Sequence, residues 1–159
     1  MSRVQLALRV ADLDAAVAFY SRLFDTEPAK RRPGYANFAV AEPPLKLVLL
    51  EGAAGEPTRM DHLGVEVPTT DEVSAATVRL ADAGLTTRVE DNTTCCYAVQ
   101  DKVWVTGPGG EPWEVYTVTG DAYPELEGKT ELEMSAVAGD GSCCKDDTDT
   151  DARLSAACC

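Results

Sequence analysis

VQLALRVADLDAAVAFYSRLF, residues 4–24, and DHLGVEVPTTDEVSAATVRL, residues 61–80, read alike when laid over each other with an offset of 57. Val4–Val10 and Asp61–Val67 both alternate apolar and polar positions, the period of two that marks a half-buried strand. A helix signal follows each. Asp12 is placed to cap a helix whose apolar residues Leu13, Ala16, Val17, Tyr20, Leu23 and Phe24 recur at i, i+3, i+4 and i+7. Thr69 and Glu72 have capping-box spacing, Val73, Ala76 and Leu80 form the second stripe, and Gly84 is placed to end that helix.

Outward from these units, strands are expected at Tyr35–Val40 and Leu45–Glu51 in the first half. In the second they are expected at Thr86–Glu90, Tyr97–Gln100, Lys102–Thr106 and Trp113–Val118. EGAAGEPTR, rich in Gly and Pro, joins the halves. A unit of 57 residues does not easily bury its sheet alone, so the two copies are expected to pair into one core with a cleft between them. The expected class is α+β: two βαβββ modules, about 2–52 and 60–119, in one domain spanning 1–120. Beyond Val118 the periodicity fades. Residues 119–159 carry 10 acidic and 3 basic side chains, and 121–159 reads as an acidic, cysteine-containing tail that is largely flexible.

Composition narrows the function classes. The 159 residues fit one domain or two small modules sharing a core, and 45% hydrophobic content suffices to build it. The net charge is −13 and no run of Lys and Arg exceeds Lys30–Arg32, so nucleic acid is excluded as a partner. Gln5, Arg9 and Asp12 interrupt the start too often for a signal peptide and no stretch approaches a membrane span, so a cytoplasmic protein is expected. Six cysteines fall as three adjacent pairs, Cys95 with Cys96, Cys143 with Cys144 and Cys158 with Cys159. Zinc sites and relaxed disulfides usually need wider spacing, so the pairs call for another explanation.

His62 is the only histidine, and the repeat sets it against Gln5, each second in its strand. GEPWEVY puts Glu114 on one face with Tyr116 and Val118; a carboxylate between Trp113 and Val115 is costly to bury unless a cation meets it. Matching EPPLKLV to GEPWEVY sets Lys46 against Glu114, so a four-ligand site shared by both modules is broken at its fourth corner. Gln5, His62 and Glu114 then form a variant of the two-histidine, one-carboxylate facial triad. The plainer alternative has Gln5 packed against a neighbour and Glu114 paired with Lys102 or Arg9. Cys95 and Cys96 are either packing residues or a soft-ligand pair. Neighbours in a regular strand face opposite ways, but the turn formers Asp91, Asn92, Thr93 and Thr94 favour a loop or bulge where both sulfurs converge on a thiophilic centre such as trivalent arsenic.

With these residues in hand, the chain resembles the vicinal oxygen chelate superfamily of glyoxalases, bleomycin-resistance proteins and extradiol dioxygenases. The two modules, Gln5, His62 and Glu114, and GPGGEPWEVY carry the resemblance over residues 2–119. NTTCCYAVQDKVWVTGPGGEPWEVY and the cysteine-rich tail are similar to the organoarsenical carbon–arsenic lyases, non-heme iron(II) dioxygenases of that superfamily. The resemblance implies a glyoxalase-like barrel with a central metal cleft, Fe(II) on Gln5, His62 and Glu114, and a trivalent organoarsenical on Cys95 and Cys96. Dioxygen is then the co-substrate and arsenite a product, with no catalytic side chain beyond these ligands. A monomer or homodimer is expected, and Cys143, Cys144, Cys158 and Cys159, in a segment with little apolar periodicity and strong self-repulsion, are expected to be dispensable for the chemistry. Extradiol cleavage, which uses further histidines, fits poorly with a single one, and Lys46 disfavours a four-ligand glyoxalase. A non-catalytic protein that sequesters arsenicals or a drug in the same cleft is the competing reading.

Overall fold

The computed structural model describes residues 2–95 and 97–122. The first half runs β1 (Arg3–Val10), α1 (Leu13–Phe24), β2 (Lys30–Arg32), β3 (Tyr35–Val40) and β4 (Leu45–Glu51). The second runs β5 (Arg59–Glu66), α2 (Thr70–Asp82), β6 (Arg88–Cys95), β7 (Ala98–Thr106) and β8 (Pro112–Asp121). All eight strands form one mixed sheet in the order β2-β3-β4-β1-β5-β8-β7-β6. Each half contributes the same local order, and the halves meet where β1 runs antiparallel to β5. The sheet curls into the half-barrel expected of paired βαβββ modules.

The seam register explains the repeat. Gln5 stands opposite Gly64, Leu6 opposite Leu63 and Ala7 opposite His62. The offset of 57 carries Gln5 to His62 and Ala7 to Gly64, so exchanging the halves reproduces the pairing, with the pseudo-dyad between Leu6 and Leu63. Both helix starts form as read: the Asp12 side chain accepts from the Ala15 N–H, and Thr69 accepts from the Glu72 N–H. Gly84 follows α2 at φ +80°, the left-handed conformation that glycine adopts without penalty. α1 presses Leu13 and Val17 onto Phe38, Val40, Leu47 and Leu49, while α2 presses Val73, Ala76 and Leu80 onto Val103. Each of the Leu, Val and Phe side chains among these stabilises the fold by roughly 1.5–3 kcal/mol when fully buried. With Leu6 and Leu8 turned to the helices, the alternation of β1 sends Gln5 and Ala7 to the concave face.

Four details differ from the sequence expectation. Leu23 is exposed, since α1 rests on Leu13 and Val17 with Ala16, Tyr20 and Phe24 packed beside them, and Leu23 falls off that stripe. β2 was unexpected because Lys-Arg-Arg has no alternation; it forms by pairing with β3 across the Gly34 turn, at φ +69°. The two strands expected at Tyr97–Gln100 and Lys102–Thr106 are one, β7, which starts at Ala98 after a turn at Tyr97, because Asp101 continues the ladder and its carboxylate accepts from Thr70 Oγ1 and the Asn92 N–H. The fourth is β6, which begins at Arg88 and runs through the supposed loop to Cys95, as described below. Of the 121–159 tail, residues 123–159, with Cys143, Cys144, Cys158 and Cys159, lie outside the described residues.

Candidate metal centre and substrate cleft

Three strands of the concave face deliver the three singled-out polar side chains to one point: Gln5 from β1, His62 from β5 and Glu114 from β8. The seam pairing places His62 beside β1, and the parallel β5–β8 register sets Glu114 beside Gly64. Gly64 is what lets them converge. A Cβ there would lie 3.1 Å from Glu114 Cγ and 3.3 Å from both Gln5 Cβ and Tyr116 Cε1. Gln5 Nε2 donates to Glu114 Oε1 at 2.7 Å and lies 3.0 Å from His62 Nε2, which is itself 3.4 Å from Glu114 Oε1. All three residues are at most 4% exposed.

Their surroundings are polar and ordered. His62 Nδ1 meets Asp61 Oδ1 at 2.7 Å, and Arg9 Nε donates to the other Asp61 oxygen at 2.5 Å. This carboxylate–imidazole pairing turns Nε2 toward Gln5 and Glu114, as is usual for ligating histidines. The edge-on Trp104 ring, 5.5 Å away between centroids, packs against the imidazole. Burial pushes the His62 pKa down, but Asp61 and Glu114 outweigh it and raise it to about 9. With the amide as placed, Gln5 Nε2 can donate to His62 Nε2 only when that nitrogen is unprotonated, so geometry and charge pull opposite ways. Both ring nitrogens face carboxylate oxygens however the amide is turned. The raised pKa favours the charged imidazole at neutral pH, and a cation that binds Nε2 displaces its proton.

Burial raises the Glu114 pKa, yet the neighbouring His62 and Lys102 outweigh it and hold the group below the usual carboxylate range. Lys102 Nζ stands 3.2 Å from Glu114 Oε2. The plainer reading of Glu114 as a partner of Lys102 is therefore also present, whereas Arg9 is engaged by Asp61. The Lys102 ammonium is the one polar partner of the buried Glu114 Oε2 among the described residues. On the far side of Gln5, the Tyr116 hydroxyl donates to Gln5 Oε1 at 2.5 Å and lies 3.4 Å from Glu66 Oε2. Burial and the Glu66 and Glu114 charges push the Tyr116 pKa up, so the hydroxyl keeps its proton.

The ladder corrects the fourth corner. Ala7 pairs with Val48 in β4, and its repeat mate Gly64 pairs with Glu114. Val48, not Lys46, is thus the counterpart of Glu114, and its isopropyl group offers no donor. Matching the prolines of EPPLKLV and GEPWEVY had shifted the comparison by two residues. Lys46 sits one step along the same face, its Nζ 3.8 Å from Glu66 Oε2, and burial pushes its pKa down.

These groups line one cavity of about 260 Å3, whose walls include Gln5, Lys46, Val48, His62, Cys95, Tyr97 and Glu114. Cys95 is buried as the last residue of β6, opposite Ala98 of β7. Of the loop or bulge expected here, the structure has the bulge, and Cys95 itself lies on the strand beyond it. A bulge between Glu90 and Thr93, with Asn92 at φ +51°, absorbs the turn formers, and Thr93, Thr94 and Cys95 continue the pairing. Lys46 and Lys102 both lie within electrostatic reach of the Cys95 sulfur. Cys96 lies outside the described residues. Among the described residues no three histidine, cysteine or acidic side chains converge as a metal site; the third corner here is an amide. Sequence reading missed Asp61, Glu66 and Tyr116. The only signal for Asp61 was its adjacency to His62.

A family model described as the Glyoxalase/Bleomycin resistance protein/Dioxygenase superfamily matches residues 3–115. The chain belongs to this superfamily. Among curated members, a trivalent organoarsenical cleaving enzyme of Thermomonospora curvata is 60% identical over 100% of both chains. The cadmium-induced protein CadI of Mycobacterium tuberculosis is 60% identical over 92% of this chain and 94% of its own. A trivalent organoarsenical cleaving enzyme of Bacillus sp. strain MD1 is 38% identical over 73% of each. Of solved superfamily folds, the Mn(II)-bound glyoxalase of Novosphingobium aromaticivorans has a TM-score of 0.54 at 23% identity, over 76% of this chain and 41% of that one. An extradiol homoprotocatechuate 2,3-dioxygenase of Brevibacterium fuscum has 0.53 at 19%, over 74% and 32%. These last two show a shared fold alone.

Proposed function

We propose that this protein cleaves the carbon–arsenic bond of trivalent organoarsenicals such as methylarsenite, in an oxygen-dependent reaction at iron(II) held by Gln5, His62 and Glu114. Full-length similarity to a trivalent organoarsenical cleaving enzyme supports the substrate class. The observation that carries the reading is that Cys95 opens into the same cavity as the three candidate ligands. The residues fit a metal on two counts. The buried Glu114 Oε2 has no neutral donor, its one partner being the Lys102 ammonium, and Gly64 keeps clear the space that a Cβ would fill. Amide, imidazole and carboxylate donors also suit a first-row divalent ion.

Iron(II), when bound, supplies the redox and Lewis-acid chemistry that activates dioxygen. The protein supplies position. Cys95 and Cys96 exchange their protons for the arsenical: two thiols and one methylarsenite give two As–S bonds and two waters, with no change of oxidation state. Lys46 and Lys102 make the surroundings of Cys95 electropositive, the setting in which reactive cysteines occur. Two soft bonds then fix the organic carbon beside the ligands, which is the proximity part of catalysis. Asp61 and Arg9 hold the imidazole so that Nε2 faces the site. Arsenite and an oxidised carbon fragment are the products. Reduced vicinal thiols suit a cytoplasmic setting, and a monomer or homodimer accommodates a site built within one chain.

The Lys102–Glu114 ion pair favours a second reading, since it offsets the Glu114 charge without a metal: a protein that only sequesters arsenicals. Aerobic incubation of iron-loaded protein with excess methylarsenite, followed by arsenic speciation, separates the two. Arsenite released beyond one equivalent per chain is expected. Stoichiometric binding with no arsenite supports sequestration.

A further inference from the structure

Gln5 faces its neighbours with the wrong end of its amide for a metal ligand. Nε2 points toward His62 and Glu114, while Oε1, the atom able to bind a cation, accepts the Tyr116 hydroxyl proton at 2.5 Å. An amide nitrogen has no lone pair to give. The two ends are nearly equal in shape, so turning the amide over exchanges them without moving the stem.

We propose that Tyr116 and Glu66 are positioning residues that set which end of the Gln5 amide faces the site. This rests on the reading of Gln5, His62 and Glu114 as metal ligands. Tyr116 has one proton and two acceptors in reach, Gln5 Oε1 at 2.5 Å and Glu66 Oε2 at 3.4 Å. When the hydroxyl points to Gln5, it holds Oε1 outward. When it rotates to Glu66, its oxygen is free to accept from the Gln5 N–H, and Oε1 turns to the site. Glu66 is fixed for this task. Arg3 Nε donates to Oε2 at 2.6 Å and Lys46 Nζ lies 3.8 Å from the same oxygen, with its charge 4.9 Å over the Tyr116 ring. The outward state has one hydrogen bond on the Tyr116 hydroxyl and the inward state two, one of them to a carboxylate; the Gln5 Nε2 bond to Glu114 Oε1 is given up on turning whether or not Tyr116 and Glu66 are present, so it drops out of the comparison between variants. No bond between heavy atoms changes and no proton leaves its residue.

The gain of one charge-assisted hydrogen bond, about 1.5 kcal/mol, corresponds to about tenfold in affinity. Fe(II) affinity of the full-length chain, measured anaerobically by chelator competition and repeated with Co(II), tests this. Tyr116→Phe, Glu66→Ala and the double variant are each expected to bind about tenfold more weakly, the double no worse than either single. Glu66→Gln keeps an acceptor on the same stem and covers poor folding of the alanine variant; it is expected to fall between. In a Gln5→Glu background an oxygen faces the site whichever way the group turns. Glu66→Ala should there change affinity by less than twofold. Equal losses in both backgrounds would mean that Glu66 acts through its charge alone, and wild-type affinity in Glu66→Ala would mean that the relay does nothing. Either overturns the inference and leaves the metal site standing. Failure of the wild-type chain to bind either ion overturns both.

Discussion

Replacing Gly64 by Ala should separate the site from the fold. The added Cβ would sit 3.1 Å from Glu114 Cγ, 3.3 Å from Gln5 Cβ and 3.3 Å from Tyr116 Cε1, against roughly 3.5–4.0 Å for relaxed carbon contacts. Glu114 has to retreat by about half an ångström, and the other two by slightly less. Overpacking of this kind costs about 1–3 kcal/mol. Alanine recovers about 0.5–1 kcal/mol because glycine loses more backbone freedom in a strand. The net is about 1 kcal/mol, a melting-temperature loss of about 3–4 °C in a domain of this size. The site is less tolerant, since ligand positions need to hold within about 0.2 Å. A half-ångström retreat of the only carboxylate ligand should therefore weaken Fe(II) binding by about 10- to 100-fold in a protein that still melts cooperatively. Anaerobic titration with a competing chelator, beside a thermal melt, gives both numbers. Wild-type affinity in folded Gly64→Ala would refute the convergence of Gln5, His62 and Glu114 on a metal.

Metal affinity should rise with pH up to about 9, because the cation displaces the proton held on His62, and should change by about tenfold per unit below that; a flat profile between pH 6 and 8 would contradict it. For the metal-free protein the linkage runs the other way. The raised His62 pKa contributes stability that is fully present below 6.5 and lost as pH rises through about 9, so its melting temperature should fall over that interval. Cys95→Ser and Cys96→Ser should each lose most turnover of methylarsenite yet retain iron, since one sulfur cannot chelate; unchanged rates would make both ordinary packing residues. A chain ending at Gly139 should keep its turnover number at saturating substrate, and loss of that rate with an intact fold would place the tail cysteines in the chemistry.

The fold was legible because the information is local and repeated. Asp12 and Thr69 announce the helices, and the alternation of Val4–Val10 and Asp61–Val67 places Gln5 and His62 on one face before any contact is known. Glu114 followed from a carboxylate set between apolar neighbours. The fourth corner was misread because two prolines suggested an alignment that strand pairing overrides: Ala7 with Val48 and Gly64 with Glu114 fix the register. The stretch before Cys95 looked like a loop because a bulge and a turn use the same residues. Alternation put Tyr116 on the face of Glu114, but its meeting with Glu66 left no trace in the sequence, since 50 residues separate them and only the β5–β8 ladder brings them together. Lys102 was foreseen only as a partner of Glu114, not as a neighbour of Cys95.

The most direct measurement is arsenite released from methylarsenite in air per chain, with bound iron determined on the same samples, for wild type and Glu114→Ala. The wild-type protein is expected to retain iron and to release many equivalents of arsenite, and Glu114→Ala to lose iron and release together. Multiple-turnover release by an iron-free Glu114→Ala protein would contradict the site, whatever the substrate.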